Sequence, residues 1–255
     1  MSPAVGRESR RPPRVNTPLP HDDGLRFTQS LAERLHTNRD PAAAYAAWQG
    51  LMRQAGFRHW AHLAFGDDGQ PIIHSNYPAL WLKRYLDENY LALDPVIAEA
   101  ATAKVPYLWH EAARKSEISR RQRQFFDEAG EFGLNLGAGI PTWTTAGRQG
   151  LVSVVPEVRG AGEFERYYRH TRIDLLAAAN LLHTHVARLR NEQLRATVRL
   201  TPRERDCLEL LLRGLSTAEL ARKLGLTTRG VQFHIDNLKT KYGVKTRLQL
   251  LACFV

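Results

Sequence analysis

The sequence predicts an α+β protein: an N-terminal α/β/α sandwich around an antiparallel sheet, joined to an all-α helix-turn-helix domain. Three observations carry that expectation. Short stretches of alternating polarity, separated by polar turns, are flanked on both sides by helical patterns. Near the C-terminal end, Leu200–Leu250 carries three helix starts in close succession. The charge is also uneven. Of a net +10, residues 200–255 hold ten Lys and Arg against five Asp and Glu, and the first 16 residues hold four Arg against one Glu. The remainder is close to neutral, so the excess sits where a polyanion would be met.

Residues 1–20 are rich in Arg and Pro and poor in apolar side chains, and they are expected to form a disordered basic tail. A domain spanning residues 21–195 follows. It opens with a helix over Leu25–His36, and Asp40–Pro41 then supplies an N-cap and a first-turn proline for a second helix to Ala55. Phe57–Phe65 reads as a strand with His59, Ala61 and Leu63 on one face and Trp60, His62 and Ala64 on the other. Gly66–Gly69 provides the turn and Pro71–Asn76 the paired strand. Pro78 opens a helix to Asn89, Asp94–Pro95 opens another, and Ser119–Glu131 is a charged amphipathic helix. Leu136–Thr142 and Gly150–Pro156 read as strands joined by the turn Thr144–Gly147. A long helix then runs from Gly162 to Arg195, with an apolar stripe at Leu175, Leu176, Ala179, Leu182 and Val186 suited to packing or dimerisation.

After a linker at residues 196–200, the C-terminal domain spans 201–255. Thr201, Pro202 and Glu204 make a capped start with a capping-box glutamate, and Ser216 with Glu219 repeats the box. Thr227 caps a third helix, in which Gly230 stands where a box glutamate would be. Cys207, Leu208, Leu211, Leu220, Val231 and Ile235 fall on inward faces. A short helix, a tight turn and a longer helix with a basic outer face make a helix-turn-helix. Arg229, Gln232, His234, Asn237, Lys239 and Lys241 point outward on the third helix and suit base edges and phosphates.

Two cysteines, Cys207 and Cys253, are too few and too far apart for a disulfide framework or a zinc site, and both are expected to be reduced core residues. No apolar run reaches membrane-spanning length, and the Arg-rich start lacks the apolar segment of a secretion signal. The expected location is the cytoplasm. His59, His62 and His74 lack the Cys or carboxylate spacing of a metal site.

Between Tyr77 and Pro95 the chain reads YPALWLKRYLDENYLALDP. Tyr77, Trp81 and Tyr85 are spaced i, i+4, i+8 and line one face of the Pro78–Asn89 helix or its entrance. With Asp94 they offer two phenols, an indole donor and an acceptor-only carboxylate. Taken singly, the three aromatics read first as ordinary core residues, and Asp94 before Pro95 is also what a plain N-cap looks like.

The C-terminal stretch closely resembles the DNA-binding domain of the LuxR family of bacterial transcription regulators. The family patterns L-T-x-R-E, G-x-S and V-x-x-H appear as Leu200–Glu204, Gly214–Ser216 and Val231–His234, with Glu204, Leu208 and Gly214 at characteristic positions. Gly230 departs from the usual Thr or Ser, which removes a possible phosphate contact and costs up to ~1 kcal/mol of helix propensity relative to Ala. The N-terminal part resembles family members that sense acyl-homoserine lactones, with Trp81, Tyr85, Asp94, Pro95, Trp109 and Gly137 at the family's positions. The resemblance covers roughly residues 25–255.

That resemblance implies no cofactor and no enzymatic activity, but an acyl-homoserine lactone as ligand. Asp94 would accept from its amide N–H, Trp81 would donate to the lactone carbonyl, and Tyr77 would donate to the acyl carbonyl. Ser153 would bind that carbonyl directly or through water. Tyr85, Trp109, Phe125, Phe126, Ala129 and Leu134 would wall the ring and chain. The expected partners are the small-molecule autoinducer, double-stranded promoter DNA, a second copy of the chain and, for an activator, RNA polymerase. On DNA, Arg229, Gln232 and His234 are candidates for base readout, with Thr227 and Thr228 at the helix start. Lys239, Lys241, Lys245 and Arg247 would hold phosphates. Two rival expectations are a regulator of the same family with another ligand or none, and a hydrolase using Asp94. For the latter the sequence offers no nucleophile elbow or metal-ligand spacing.

Overall fold

A computed structural model of the chain describes residues 24–65, 71–114, 118–144, 149–157 and 160–254. The basic tail, the Gly66–Gly69 turn and most of the Thr144–Gly147 turn lie outside the described residues. The first domain is built on a five-stranded antiparallel sheet of order β2-β1-β5-β4-β3. The strands are β1 (Phe57–Phe65), β2 (Pro71–Ser75), β3 (Tyr107–Leu108), β4 (Ala138–Trp143) and β5 (Gln149–Pro156). Ala61 lies opposite Ser153 and Leu63 opposite Leu151, while Trp60 faces Val154 and His62 faces Val152. Strand alternation therefore sorts these pairs onto two faces.

One face carries Trp60, Val152 and Val154 and is covered by α1 (Gly24–Thr37), α2 (Pro41–Gln54) and α7 (Ala161–Thr197). Its core includes Leu31, Trp48, Phe164 and Leu182, all fully buried. A polar chain crosses this layer: the Tyr45 hydroxyl meets His62 Nδ1 at 2.8 Å, and His62 Nε2 meets His183 Nδ1 at 2.8 Å. Burial, and then the neighbouring His183, hold the His62 imidazole well below its usual pKa, so it stays neutral. His74 stacks on Tyr45 from β2, whereas His59 faces Tyr77 on the opposite side. Among the described residues, no three potential ligands are grouped to hold a metal ion.

The opposite face is covered by α3 (Ala79–Asp87), a 3-10 turn (Tyr90–Ala92), α4 (Pro95–Ala100), α5 (Trp109–Arg114) and α6 (Arg120–Glu131). Ser119 caps α6 through a full capping box with Gln122. The sequence reading placed the major elements but missed four short ones: the 3-10 turn, β3, α5 and a C-terminal helix, α11 (Arg247–Ala252). At two residues β3 is too short for any periodicity to register; its pairing with Ala138 and Gly139 defines it. For α11 a signal existed, since Thr246 and Gln249 form a capping box.

The C-terminal domain comprises α8 (Pro202–Leu212), α9 (Thr217–Leu224), α10 (Thr228–Lys241) and α11. Thr201, Ser216 and Thr227 cap their helices through side-chain oxygens, as their sequence positions predict. Gly225 takes φ +64° and ends α9, with Leu226 N–H returning to Ala221 C=O at 2.9 Å. Leu208, Leu211, Leu220, Val231, Ile235 and Leu250 fill the core, and Cys207 and Cys253 are both buried free thiols. The boundary with the first domain is tighter than the sequence suggests. Helix α7 runs on to Thr197, taking in the first two residues of the expected linker. Leu194 and Val198 pack against the C-terminal core, and the Arg195 guanidinium lies 5.3 Å from the Phe254 ring centre. No helix among the described residues is long and apolar enough to cross a membrane.

Candidate functional site

Between the sheet and the α3–α6 layer lies a cleft with predominantly apolar walls. Its floor is the alternate residues Ala61 and Leu63 of β1 and Leu151 and Ser153 of β5, which the register places side by side. Tyr77 enters just before α3, and Trp81 and Tyr85 follow on the inward face of that helix. Phe125, Phe126 and Ala129 come from α6, Leu134 from the turn after it, and Trp109 from the start of α5. All ten residues expected at a ligand site thus line one cleft.

Asp94 is both an N-cap and part of the cleft wall. Its Oδ1 accepts from Val96 N–H at 2.8 Å, capping α4, while Oδ2 accepts from the Tyr85 hydroxyl at 2.9 Å. Burial raises its pKa from 3.8 to about 6, with the hydrogen bonds from Val96, Tyr85 and Ile97 opposing the rise. The neighbouring phenols respond to the same surroundings. Burial and then the Asp94 charge push Tyr77 and Tyr85 well above their usual range, while the Ser153 hydroxyl bonded to Tyr77 pulls the other way. The cleft therefore presents a single carboxylate, a Tyr–Ser hydroxyl pair and otherwise apolar walls.

Trp81 is buried among rings, 5.9 Å from Tyr85, 5.8 Å from Phe125 and 6.0 Å from Tyr90. The Trp109 indole N–H is buried with no hydrogen-bond partner among the described residues. The indole is pinned from behind: its backbone N–H donates to Gly137 C=O at 3.0 Å, and a Cβ at Gly137 would lie 2.6 Å from the ring. Gly137→Ala is therefore expected to cost about 1–3 kcal/mol by overpacking and to push the indole into the cleft. Thermal melting and near-ultraviolet circular dichroism check this together. An unchanged melt with an unchanged aromatic spectrum would remove Trp109 as a fixed wall.

The sequence reading missed Ile73, Leu82, Leu91 and Ile97 of the cleft, and it did not assign Leu63 or Leu151 to it. For the strand residues the alternation was legible, and pairing with Ser153's face would have found them. Nothing local marks Ile97 or Leu91.

In the second domain the structure separates the candidate DNA residues into two groups. Thr228, Arg229 and Lys245 are exposed at α10 or just after it, and His234 is half-buried. Others are bound within the domain. The Thr227 hydroxyl accepts from Gly230 N–H at 3.0 Å, the Gln232 amide donates to Asp236 at 3.1 Å, and Lys239 pairs with Asp236 at 2.6 Å. Arg247 donates to Leu215 C=O. Lys241 differs most from expectation: its Nζ meets Glu204 Oε2 at 2.6 Å and Arg199 C=O at 3.0 Å. Its ammonium is matched here by a buried carboxylate, which gives it a structural role within the domain.

An apolar-walled cleft in an α/β/α domain, continuous through one long helix with a basic helix-turn-helix, points to a transcription regulator with a small-molecule-binding domain. Residues 40–186 match the family described as "Autoinducer binding domain", and residues 198–254 match "Bacterial regulatory proteins, luxR family". The chain belongs to the LuxR family, whose members are transcriptional regulators and not enzymes. It is 28% identical over 225 residues to the HTH-type quorum-sensing regulator RhlR of Pseudomonas aeruginosa, covering 86% of this chain and 88% of RhlR. The fold is similar to that of the N-acylhomoserine lactone-dependent LuxR-family transcription factor CepR2 of Burkholderia cenocepacia. There the TM-score is 0.53 at 21% identity, covering 65% of this chain and 96% of that one. It is also similar to SdiA of Escherichia coli, whose structure in complex with octanoyl-rac-glycerol gives a TM-score of 0.56 at 17% identity, covering 91% and 94%.

Proposed function

We propose that the cleft binds an acyl-homoserine lactone and that the chain acts as a homodimer on dyad-symmetric promoter DNA. The observation that carries this is the half-buried carboxylate of Asp94, the one carboxylate lining the cleft, beside the Tyr77–Ser153 hydroxyls and among aromatic rings. Such a cleft complements a small molecule with one amide N–H, adjoining carbonyls and an apolar tail. Asp94 accepts the amide N–H, Trp81 donates to the lactone carbonyl, and Tyr77 and Ser153 serve the acyl carbonyl. Tyr85, Trp109, Phe125, Phe126, Ala129 and Leu134 pack against ring and chain. Ligand bound in the core stabilises the folded state by mass action, and a dimer presents two copies of α10 to successive major grooves. There, Arg229, Gln232 and His234 serve the bases, Thr227 and Thr228 lie at the helix start against the DNA, and Lys239, Lys245 and Arg247 serve the phosphates. As an activator in the cytoplasm it would also meet RNA polymerase.

The octanoyl-rac-glycerol bound by SdiA favours one second reading, an acylglycerol whose hydroxyl donates to Asp94. Thermal unfolding against a lactone panel of graded acyl length, with octanoyl-rac-glycerol included, separates the two. Ligand at a hundred times its Kd contributes about 2.7 kcal/mol, so the melting temperature should rise by roughly 5–10 °C and depend on chain length. A shift with the glycerol ester alone would transfer the site to that class. No shift with either, from a folded protein that binds DNA, would leave a regulator of different ligand or none.

A further inference from the structure

Helix α10 buries Val231, Ile235 and Leu238 against α8 and α9. The opposite face carries Arg229, Phe233, Asp236 and Thr240, all exposed and spaced i, i+4, i+7, i+11. Phe233 stands at the middle of this face and is 62% exposed. Nothing in the fold of the domain asks for it there. Phenylalanine is a poor surface helix former, and an exposed phenyl contributes little packing. Its polar neighbours are matched among themselves: Gln232 donates to Asp236, which also pairs with Lys239. His234 meets the Phe233 ring at 5.6 Å, edge to face, and restricts its swing.

A helix-turn-helix sets this outward face into the major groove. The floor of that groove is polar, made of base donors and acceptors, with one apolar feature: the C5-methyl group of thymine. A phenyl ring gains nothing from phosphate oxygens or from the edges of G, A or C. We propose that Phe233 is a specificity-determining residue that reads a thymine methyl at one position of each half-site. This rests on the DNA-binding reading given above. Phe233 carries no hydrogen-bonding group, so no donor–acceptor pattern on the recognition helix marks it.

The test uses full-length protein saturated with the lactone giving the largest thermal shift, and duplexes selected by that protein from random-sequence DNA. In the selected duplex each thymine is replaced singly by uracil, which removes only the methyl group, and binding is followed by fluorescence anisotropy. Loss of one buried methyl corresponds to roughly a four-fold weakening, or about fifteen-fold when both half-sites carry the change. One thymine per half-site should show this effect in the wild type. Phe233→Ala should bind the unmodified duplex more weakly by a similar factor and lose thymine–uracil discrimination at that position alone. Because the side chain is exposed, the variant should melt with the wild type. Unchanged affinity in Phe233→Ala, as expected for a ring that serves a protein partner, overturns the assignment. So does weaker binding with the thymine–uracil profile intact. If the wild type selects no sequence at all, the DNA reading itself fails, and the role of Phe233 falls with it.

Discussion

Asp94→Asn should separate ligand binding from stability, weakening lactone affinity by roughly ten- to hundred-fold while leaving the ligand-free protein as stable or more so at pH 7. The expected loss is that of a hydrogen bond to a charged acceptor, exchanged for one to a neutral amide in a cleft of low polarity. Capping of α4 should survive, since Asn caps as well as Asp. The gain in the ligand-free state follows from the direction of the pKa shift. Asp94 is raised from 3.8 to about 6 in the fold, so between these values the folded protein holds a proton that the unfolded chain has lost. Stability from this group therefore falls as pH rises through that window, and the full penalty of a buried anion is present above about pH 6. The Asn variant lacks that slope. In the wild type, lactone affinity should increase from pH 5 to pH 7 as the carboxylate ionises, and in the variant it should be flat. Calorimetric titration and thermal melting over this range check both halves. Retention of wild-type affinity by Asp94→Asn would remove the carboxylate from ligand recognition.

The second large effect is expected at Lys241. Its partner Glu204 has a side chain only 4% exposed. Burial alone would raise the Glu204 pKa, but the hydrogen bond from Lys241 and those from Thr201 outweigh it and hold the carboxyl below its usual value. A group of this kind stabilises the fold above its unfolded pKa and ceases to do so as pH falls through the folded one. Lys241→Met leaves the carboxylate buried without its counter-charge, a change that costs about 3–5 kcal/mol in enclosed pairs. The lysine is partly exposed, which places the expectation toward the lower end. The C-terminal domain should then melt far below the wild type, with DNA binding lost for every sequence. Glu204→Gln combined with Lys241→Met removes both charges and keeps an acceptor for the Thr201 N–H, so it should recover most of the loss. A lysine that merely held a phosphate would behave otherwise. The variant would stay folded, and its DNA binding would show a salt slope smaller by about one per protomer, hence about two for the dimer. Far-ultraviolet circular dichroism with salt-dependent binding distinguishes the two.

Both expectations depend on contacts between segments that the chain separates, and that is where legibility changed. The helix starts at Thr201, Ser216 and Thr227 were readable because a cap is satisfied within three residues of itself. The two faces of β1 were readable because alternation is a property of the strand alone. For the same reason Tyr77, Trp81 and Tyr85 could be placed on one face, and the excess charge of the C-terminal domain could be counted. With family resemblance added, the ten residues that line the cleft could be named, although residues without a local signature, such as Ile97 and Leu91, could not.

What the sequence determined by itself was thus the order and type of the longer elements, their inward faces and the division between a near-neutral sensor and a basic module. These follow from interactions spanning a few residues, whose geometry the backbone repeat dictates. Only the tertiary structure decided that Tyr85 bonds the carboxylate of Asp94, that Gly137 seats Trp109 and that Lys241 is committed to Glu204. Each of these depends on how elements distant in sequence approach one another. That approach is set by the packing of whole faces, which no local pattern records.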